Sequence, residues 1–146
     1  MLKIFYVDDD ADNLDLFSIA VKEFGEAELV KCTLHMYSEG DALMAALKQN
    51  KPVDALIFVD INMPKKNGFD ILKEIKLDTH LSSLPVIMFS NASDNRSITV
   101  SQELGASLYA VKPTSITGIV NLIKKVSTIK WHQANLSNIE FLINAL

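Results

Sequence analysis

Five short apolar runs separated by helical stripes constrain this chain more than any other feature. The runs are "LKIFYV" (Leu2–Val7), "AELVKCT" (Ala27–Thr33), "VDALIFV" (Val53–Val59), "PVIMFS" (Pro85–Ser90) and "SLYAV" (Ser107–Val111). They are rich in Val, Ile, Phe and Tyr. The first, third and fourth are nearly continuous, as expected of strands covered on both faces. Between them, Leu14, Phe17, Val21 and Phe24 fall at helical spacing, as do Ala42, Leu43, Ala46 and Leu47. Ile71, Leu72 and Ile75 form a third stripe, Ile98, Val100 and Leu104 a weaker fourth, and Ile116, Ile119, Val120, Ile123 and Val126 a fifth. Alternating strands and helices make βα units and a parallel sheet. Five units in about 130 residues build a small doubly wound sandwich, whereas a closed eightfold barrel takes about 250.

Local signals refine this reading. Ser38 with Asp41 three residues on resembles a capping box for the second helix, and Asp10 suits the cap of the first. Gly105 is placed to stop the fourth helix. Asn67-Gly68 reads as a loop leading into the third helix rather than a hairpin turn, because a helical stripe follows it. Residues 1–130 form one domain. The extension 131–146 holds a capping box at Ser137 and Glu140, and Leu136, Ile139, Ile143 and Leu146 share one helical face, so a short helix is expected there.

The apolar share is 49%, enough for a core without staples. Net charge is −4 with scattered Lys and Arg, which disfavours nucleic acid as a partner. One cysteine, Cys32, rules out an internal disulfide and fits a reducing compartment. No stretch reaches the roughly 18 apolar residues of a membrane span. The N-terminal run meets "DDD" too soon for a secretory leader. These features predict a cytoplasmic protein with no membrane partner.

Function is legible where the runs end. In an open parallel sheet, ligands bind beyond the carboxyl ends of the strands. Strand one ends in Asp8, Asp9 and Asp10, strand three in Asp60, strand four in Ser90 and strand five in Lys112-Pro113. Two unit charges about 4 Å apart repel by roughly 4 kcal/mol at an effective dielectric near 20. Carboxylates gathered on one rim therefore call for a cation or a proton. Lys112 can neutralise one, and an all-oxygen donor set without His or Cys suits Mg²⁺ for the others. Carboxylates, Mg²⁺, a lysine and a hydroxyl together are equipped for phosphoryl transfer onto a carboxylate.

The order "VDD", "DINMPKKNGFD", "PVIMFSNAS" and "GASLYAVKP" over residues 1–130 resembles the receiver domain of bacterial two-component response regulators, of the chemotaxis-receiver type. The resemblance implies a flavodoxin-like (βα)5 three-layer sandwich with parallel strand order 2-1-3-4-5. It implies Asp60 as phosphoacceptor, loaded from a sensor histidine kinase or histidine phosphotransfer protein. Asp9 would bind Mg²⁺ directly, Asp8 through water, and Asn62 through its backbone carbonyl. Ser90 would hydrogen-bond the phosphoryl group, Lys112 would pair with it, and Tyr109 would act with Ser90 as the switch toward a downstream protein target. The Lys112-Pro113 bond is implied to be cis. Thr114 stands where the family usually has an apolar residue, and Ala92, two residues past Ser90, cannot orient a hydrolytic water. No output domain follows, so a stand-alone receiver is expected, not an enzyme beyond its own phosphorylation chemistry. The tail "IKKVSTIKWHQANL" is similar to lone receivers paired with bacterial phytochrome kinases, some of which form homodimers.

Two other classes carry weaker support. "FYVDDDAD" resembles the D-x-D of haloacid-dehalogenase-type phosphohydrolases, with Asp8 as nucleophile and Asp10 as acid/base. A degenerate receiver would be a binding module that takes no phosphate, but it would lack one of the acid, hydroxyl or lysine positions, and all are present.

Overall fold

The computed structural model describes residues 1–131 and 140–143. Its elements run β1 (Leu2–Val7), α1 (Ala11–Glu28), β2 (Cys32–Tyr37), α2 (Gly40–Asn50), β3 (Leu56–Val59), α3 (Gly68–Leu77), β4 (Val86–Ser90), α4 (Asn95–Glu103), β5 (Leu108–Val111), α5 (Ile116–Ser127) and β6 (Leu142–Ile143). The sheet order is β2-β1-β3-β4-β5-β6 and every pairing is parallel. The first five strands hold the order 2-1-3-4-5 of a flavodoxin-like three-layer sandwich.

Strand alternation sorts the core into two halves. Phe5, Val7, Ile57, Val59, Val86, Met88 and Tyr109 meet Leu43 and Leu47 of α2 and Ile71, Leu72 and Ile75 of α3. Ile4, Tyr6, Leu56, Phe58, Ile87, Phe89, Leu108 and Ala110 meet Phe17, Val21 and Phe24 of α1 and Ile119, Ile123 and Val126 of α5. Burial on both faces explains why β1, β3 and β4 read as unbroken apolar runs.

Four expectations need correction. The second strand lies at Cys32–Tyr37, not at Ala27–Thr33. Helix α1 continues through Ala27 and Glu28, both good helix formers, and stops where Leu29 turns left-handed (φ 55) with its N–H on the Gly25 carbonyl. The cap of α2 is Glu39 with no side-chain hydrogen bond, so Ser38 and Asp41 form no capping box. Asp41 instead pairs with Lys66 at 2.9 Å. A reciprocal capping box sits at α3, where Asn67 accepts from the Asp70 amide and Asp70 from the Asn67 amide. Among the described residues no peptide bond is cis, so Lys112-Pro113 is trans, the isomer that X–Pro bonds favour by about 0.5–1 kcal/mol.

The fourth correction concerns the extension. Leu142–Ile143 form a strand on the free edge of β5, and Phe141 and Leu142 pack against the α2/α3 half of the core. An open strand edge offers hydrogen bonds that a lone marginal helix cannot make, which overrides the helical spacing at Ile143. Leu136, Ser137, Ile139 and Leu146 lie outside the described residues. Asp10 caps α1 as expected, and the structure adds Asp94 as the cap of α4 and Ser115 as that of α5. Gly105 adopts φ 95, a backbone conformation that glycine takes without strain, just after α4 ends.

Candidate functional site

The parity that sorts the core also delivers the polar side chains. Beyond Tyr6 on β1 comes Asp8, beyond Phe58 on β3 comes Asp60, and beyond Ala110 on β5 comes Lys112. All three continue the face that packs on α1 and α5. Ser90 follows Met88 on β4 and shares the opposite face with Tyr109. The residues meet at the carboxyl edge of the sheet, where β1 has β2 on one side and β3 on the other and the winding reverses.

Lys112 binds the site together. Its Nζ lies 2.7 Å from Asp8 Oδ2 and 3.1 Å from Asp60 Oδ1, with all three side chains nearly buried. The ammonium also stands 5.8 Å from the centroid of the Phe89 ring. Asp8 is fully buried, and Asp60 is 5% exposed. Asp8 Oδ2 additionally accepts from the Tyr6 hydroxyl at 2.5 Å and from Asn13 Nδ2 at 3.2 Å, while Oδ1 accepts from the Asp10 amide at 2.9 Å. Asp9 is exposed at the rim, and oxygens of Asp8, Asp9 and Asp60 lie within 4.8 Å of one another. Burial pushes the Asp60 carboxyl up to about 6, with Lys112 opposing the rise and Asp8 and Asp9 adding to it.

Asp60 is positioned by backbone. Its N–H donates to the Val7 carbonyl at 3.1 Å, tying the end of β3 to β1. The chain then folds back tightly: the Met63 and Gly68 amides both donate to the Ile61 carbonyl, at 3.2 and 2.9 Å. Lys65 takes a left-handed conformation (φ 64) within this loop. Asn62 lies in the same turn, two residues past Asp60.

On the other face, Ser90 Oγ accepts from the Ala92 amide at 3.1 Å. Tyr109 is fully buried, and its hydroxyl donates to the Ala92 carbonyl at 2.7 Å. The expected switch pair is thus joined through one residue of the β4–α4 loop, with the ring already turned inward.

Every residue singled out as a site candidate lies at this edge. Asp10 separates from the cluster as the cap of α1, its side chain accepting from the Asp12 amide. Lys66 pairs with Asp41 and Glu74. His35, on β2, stacks on Phe5 at 4.8 Å between ring centroids. Sequence reasoning missed Tyr6 and Asn13. Tyr6 could have been found, since residues two apart on a strand share a face, which puts its phenol beside Asp8.

A doubly wound sheet with acids, a hydroxyl and a lysine at its switch point defines a class of protein, and comparison with known proteins gives the family. The family model described as the response regulator receiver domain matches residues 4–124, and the chain belongs to that family. Response regulator Rcp1 of Synechocystis sp. is 27% identical over 113 residues, covering 74% of this chain and 77% of Rcp1. Two-component response regulator ARR10 of Arabidopsis thaliana is 30% identical over 142 residues, covering 94% of this chain but 24% of its own length. A probable cyclic di-GMP phosphodiesterase of Vibrio cholerae is 29% identical, with 97% of this chain matched to 29% of that protein. Among solved structures, the phosphorylated cyanobacterial phytochrome response regulator RcpA superposes with a TM-score of 0.75 at 27% identity, over 92% of this chain and 96% of its own.

Proposed function

We propose that the chain is a phosphoacceptor that takes a phosphoryl group from a phosphohistidine, on a sensor kinase or a phosphotransfer protein, onto Asp60. The observation that carries this reading is the bridge from Lys112 to both Asp8 and Asp60 at the mouth of the sheet. Asp60 shares its one cation with Asp8 and lies beside an exposed acid, Asp9, an excess of negative charge that a purely structural carboxylate does not need. The phosphorylated state of RcpA, a relative of the same size, supports the same chemistry.

The donor set fits a hard divalent ion. Three carboxylate oxygens converge without His or Cys, which selects oxygen-binding cations such as Mg²⁺. Asp9 and Asp60 would hold it, with Asp8 behind them through water and the Asn62 carbonyl as a further donor. When bound, the ion supplies positive charge against the phosphoryl oxygens.

The chain's own residues do the rest. An Asp60 oxygen attacks phosphorus, a P–O bond forms, the P–N bond breaks and its electron pair returns to the imidazole of the donor. Lys112, already between the two carboxylates, shifts toward the phosphoryl oxygens that Asp60 gains. The Ser90 hydroxyl donates to one of these oxygens, which draws the β4–α4 loop inward at Ala92. Because Tyr109 is bonded to the same Ala92, the movement reaches the surface of α4, β5 and α5, where a downstream protein target would read it as a population shift.

The test is labelling with a phosphohistidine donor or a small acyl phosphate. Wild type gains one hydroxylamine-labile phosphoryl group, and Asp60→Asn gains none while keeping its circular dichroism. Undiminished labelling in Asp60→Asn would sink the proposal.

A further inference from the structure

Among the described residues, Tyr6 is the largest fully buried polar-tipped side chain that the proposed reaction does not use. It is completely buried, packed on Phe17 at 4.3 Å and Phe89 at 5.6 Å between ring centroids. A phenol in such surroundings needs a partner, and an apolar residue would fill the space without one. Its partner is Asp8, at 2.5 Å, the shortest hydrogen bond to any site carboxylate among the described residues. An ionised carboxylate only accepts, so the phenol O–H is the donor of this bond.

Counting lone pairs gives the consequence. Asp8 Oδ2 receives Tyr6, Lys112 and Asn13, and Oδ1 receives the Asp10 amide. A carboxylate oxygen has about two lone-pair positions in plane, and on Oδ2 these go to the two short partners, Tyr6 at 2.5 Å and Lys112 at 2.7 Å, with Asn13 a longer third at 3.2 Å. While Tyr6 and Lys112 hold Oδ2, Asp8 has only the one position left on Oδ1 to offer a cation, although it lies within reach of Asp9 and Asp60.

We propose that Tyr6 is a positioning residue of the phosphorylation site: by donating to Asp8 Oδ2 it fixes Asp8 as the counter-charge of Lys112 and leaves the divalent ion to Asp9 and Asp60. The inference rests on the phosphoacceptor reading above and adds a determinant of metal affinity to it. An ion held by fewer acids is held more weakly, and Lys112 stays anchored until the phosphoryl group arrives.

Metal titration of the full chain tests this. Tyr6→Phe keeps the ring among Phe17, Phe58 and Phe89 and removes only the hydroxyl. It should bind Mg²⁺, and Mn²⁺ followed by electron paramagnetic resonance, roughly three- to tenfold more tightly than wild type, because a hydrogen bond to a charged group is withdrawn from Asp8. In an Asp8→Asn background the same change should move affinity by less than about twofold. Unchanged or weaker binding in Tyr6→Phe, or an equal gain in both backgrounds, would overturn the proposal. A second readout needs no variant: the Tyr6 hydroxyl proton should give a protected downfield resonance in wild type that persists at saturating Mg²⁺, and its loss on adding Mg²⁺ would refute the assignment. Labelling of wild-type Asp60 separates the two levels. Labelled wild type with unaltered metal affinity in Tyr6→Phe overturns this inference alone, whereas absence of labelling overturns the phosphoacceptor reading and this inference with it.

Discussion

A Cβ on Gly68 would lie 2.5 Å from the Asp60 carbonyl oxygen and 2.7 Å from the Ile61 Cα. The first residue of α3 thus rests directly on the backbone that carries the acceptor. Nothing flexible lies in the way, since both atoms are main chain. The glycine is required for this approach, whatever helix propensity prefers.

Gly68→Ala is accordingly expected to displace the Asp60 backbone and to cost about 1–3 kcal/mol, as overpacking does. Chemical denaturation measures the loss. Phosphorylation should slow as well, because the in-line geometry at Asp60 depends on the shifted atoms. A variant as stable as wild type would show that the contact relaxes at no cost.

Asp60 should impose a pH dependence on stability in chelator. Its carboxyl is raised from 3.8 to about 6, so the folded state holds a proton that the unfolded chain has released. The contribution of this one group to stability is then fully present below about pH 4 and is lost between about pH 4 and about pH 6, by up to about 3 kcal/mol. Asp60→Asn carries no such charge. It should be about 2 kcal/mol more stable than wild type at about pH 7.5 and nearly equal at about pH 4. Urea unfolding across that range checks it, and a difference that does not vary with pH would contradict it.

Removing Lys112 should have the opposite sign. Lys112→Met leaves Asp8 and Asp60 facing one another with no cation between them. Breaking one partner out of a buried ion pair costs about 3–5 kcal/mol. The deficit should shrink toward about pH 5, where Asp60 can protonate, and on adding Mg²⁺, which restores positive charge. Thermal unfolding at two pH values, each with chelator and with Mg²⁺, gives the comparison.

Much of this arrangement was legible in the sequence because it is decided locally. An apolar run buried on both faces reads as a strand without knowledge of its neighbours, and the side chain that terminates it is carried to the sheet's edge. Asp8, Asp60, Ser90 and Lys112 could therefore be gathered by counting strand ends. Features decided by competition between distant segments were not legible. Ala27 to Val30 suits a strand as well as a helix end, and α1 wins because its last turn continues. Leu142–Ile143 carries a helical spacing, and its state is settled by the unpaired edge of β5, about thirty residues away. Tyr6 falls between these cases, since its parity with Asp8 was visible while its hydroxyl's partner was not.

The β5–β6 pairing yields the last prediction. The Tyr109 amide donates to the Phe141 carbonyl at 2.9 Å, and Tyr109 lies opposite Leu142 in register. On its other side β5 is paired with β4, so this outward amide has no other strand to bond. Deleting residues 141–146 should leave it open to water. Its hydrogen exchange should accelerate by at least about tenfold, while the amide of Met88, on a strand with neighbours on both sides, changes little. The deletion also uncovers the apolar surface now met by Phe141 and Leu142, so a global loss of about 1–2 kcal/mol is expected. Because Tyr109 is joined to Ser90 through Ala92, the same variant should alter how phosphorylation is transmitted to the β5 edge. Exchange at Tyr109 compared with and without phosphorylation measures that link. Equal protection of the Tyr109 amide in the intact and shortened chains would show that β6 does not bond β5 in solution.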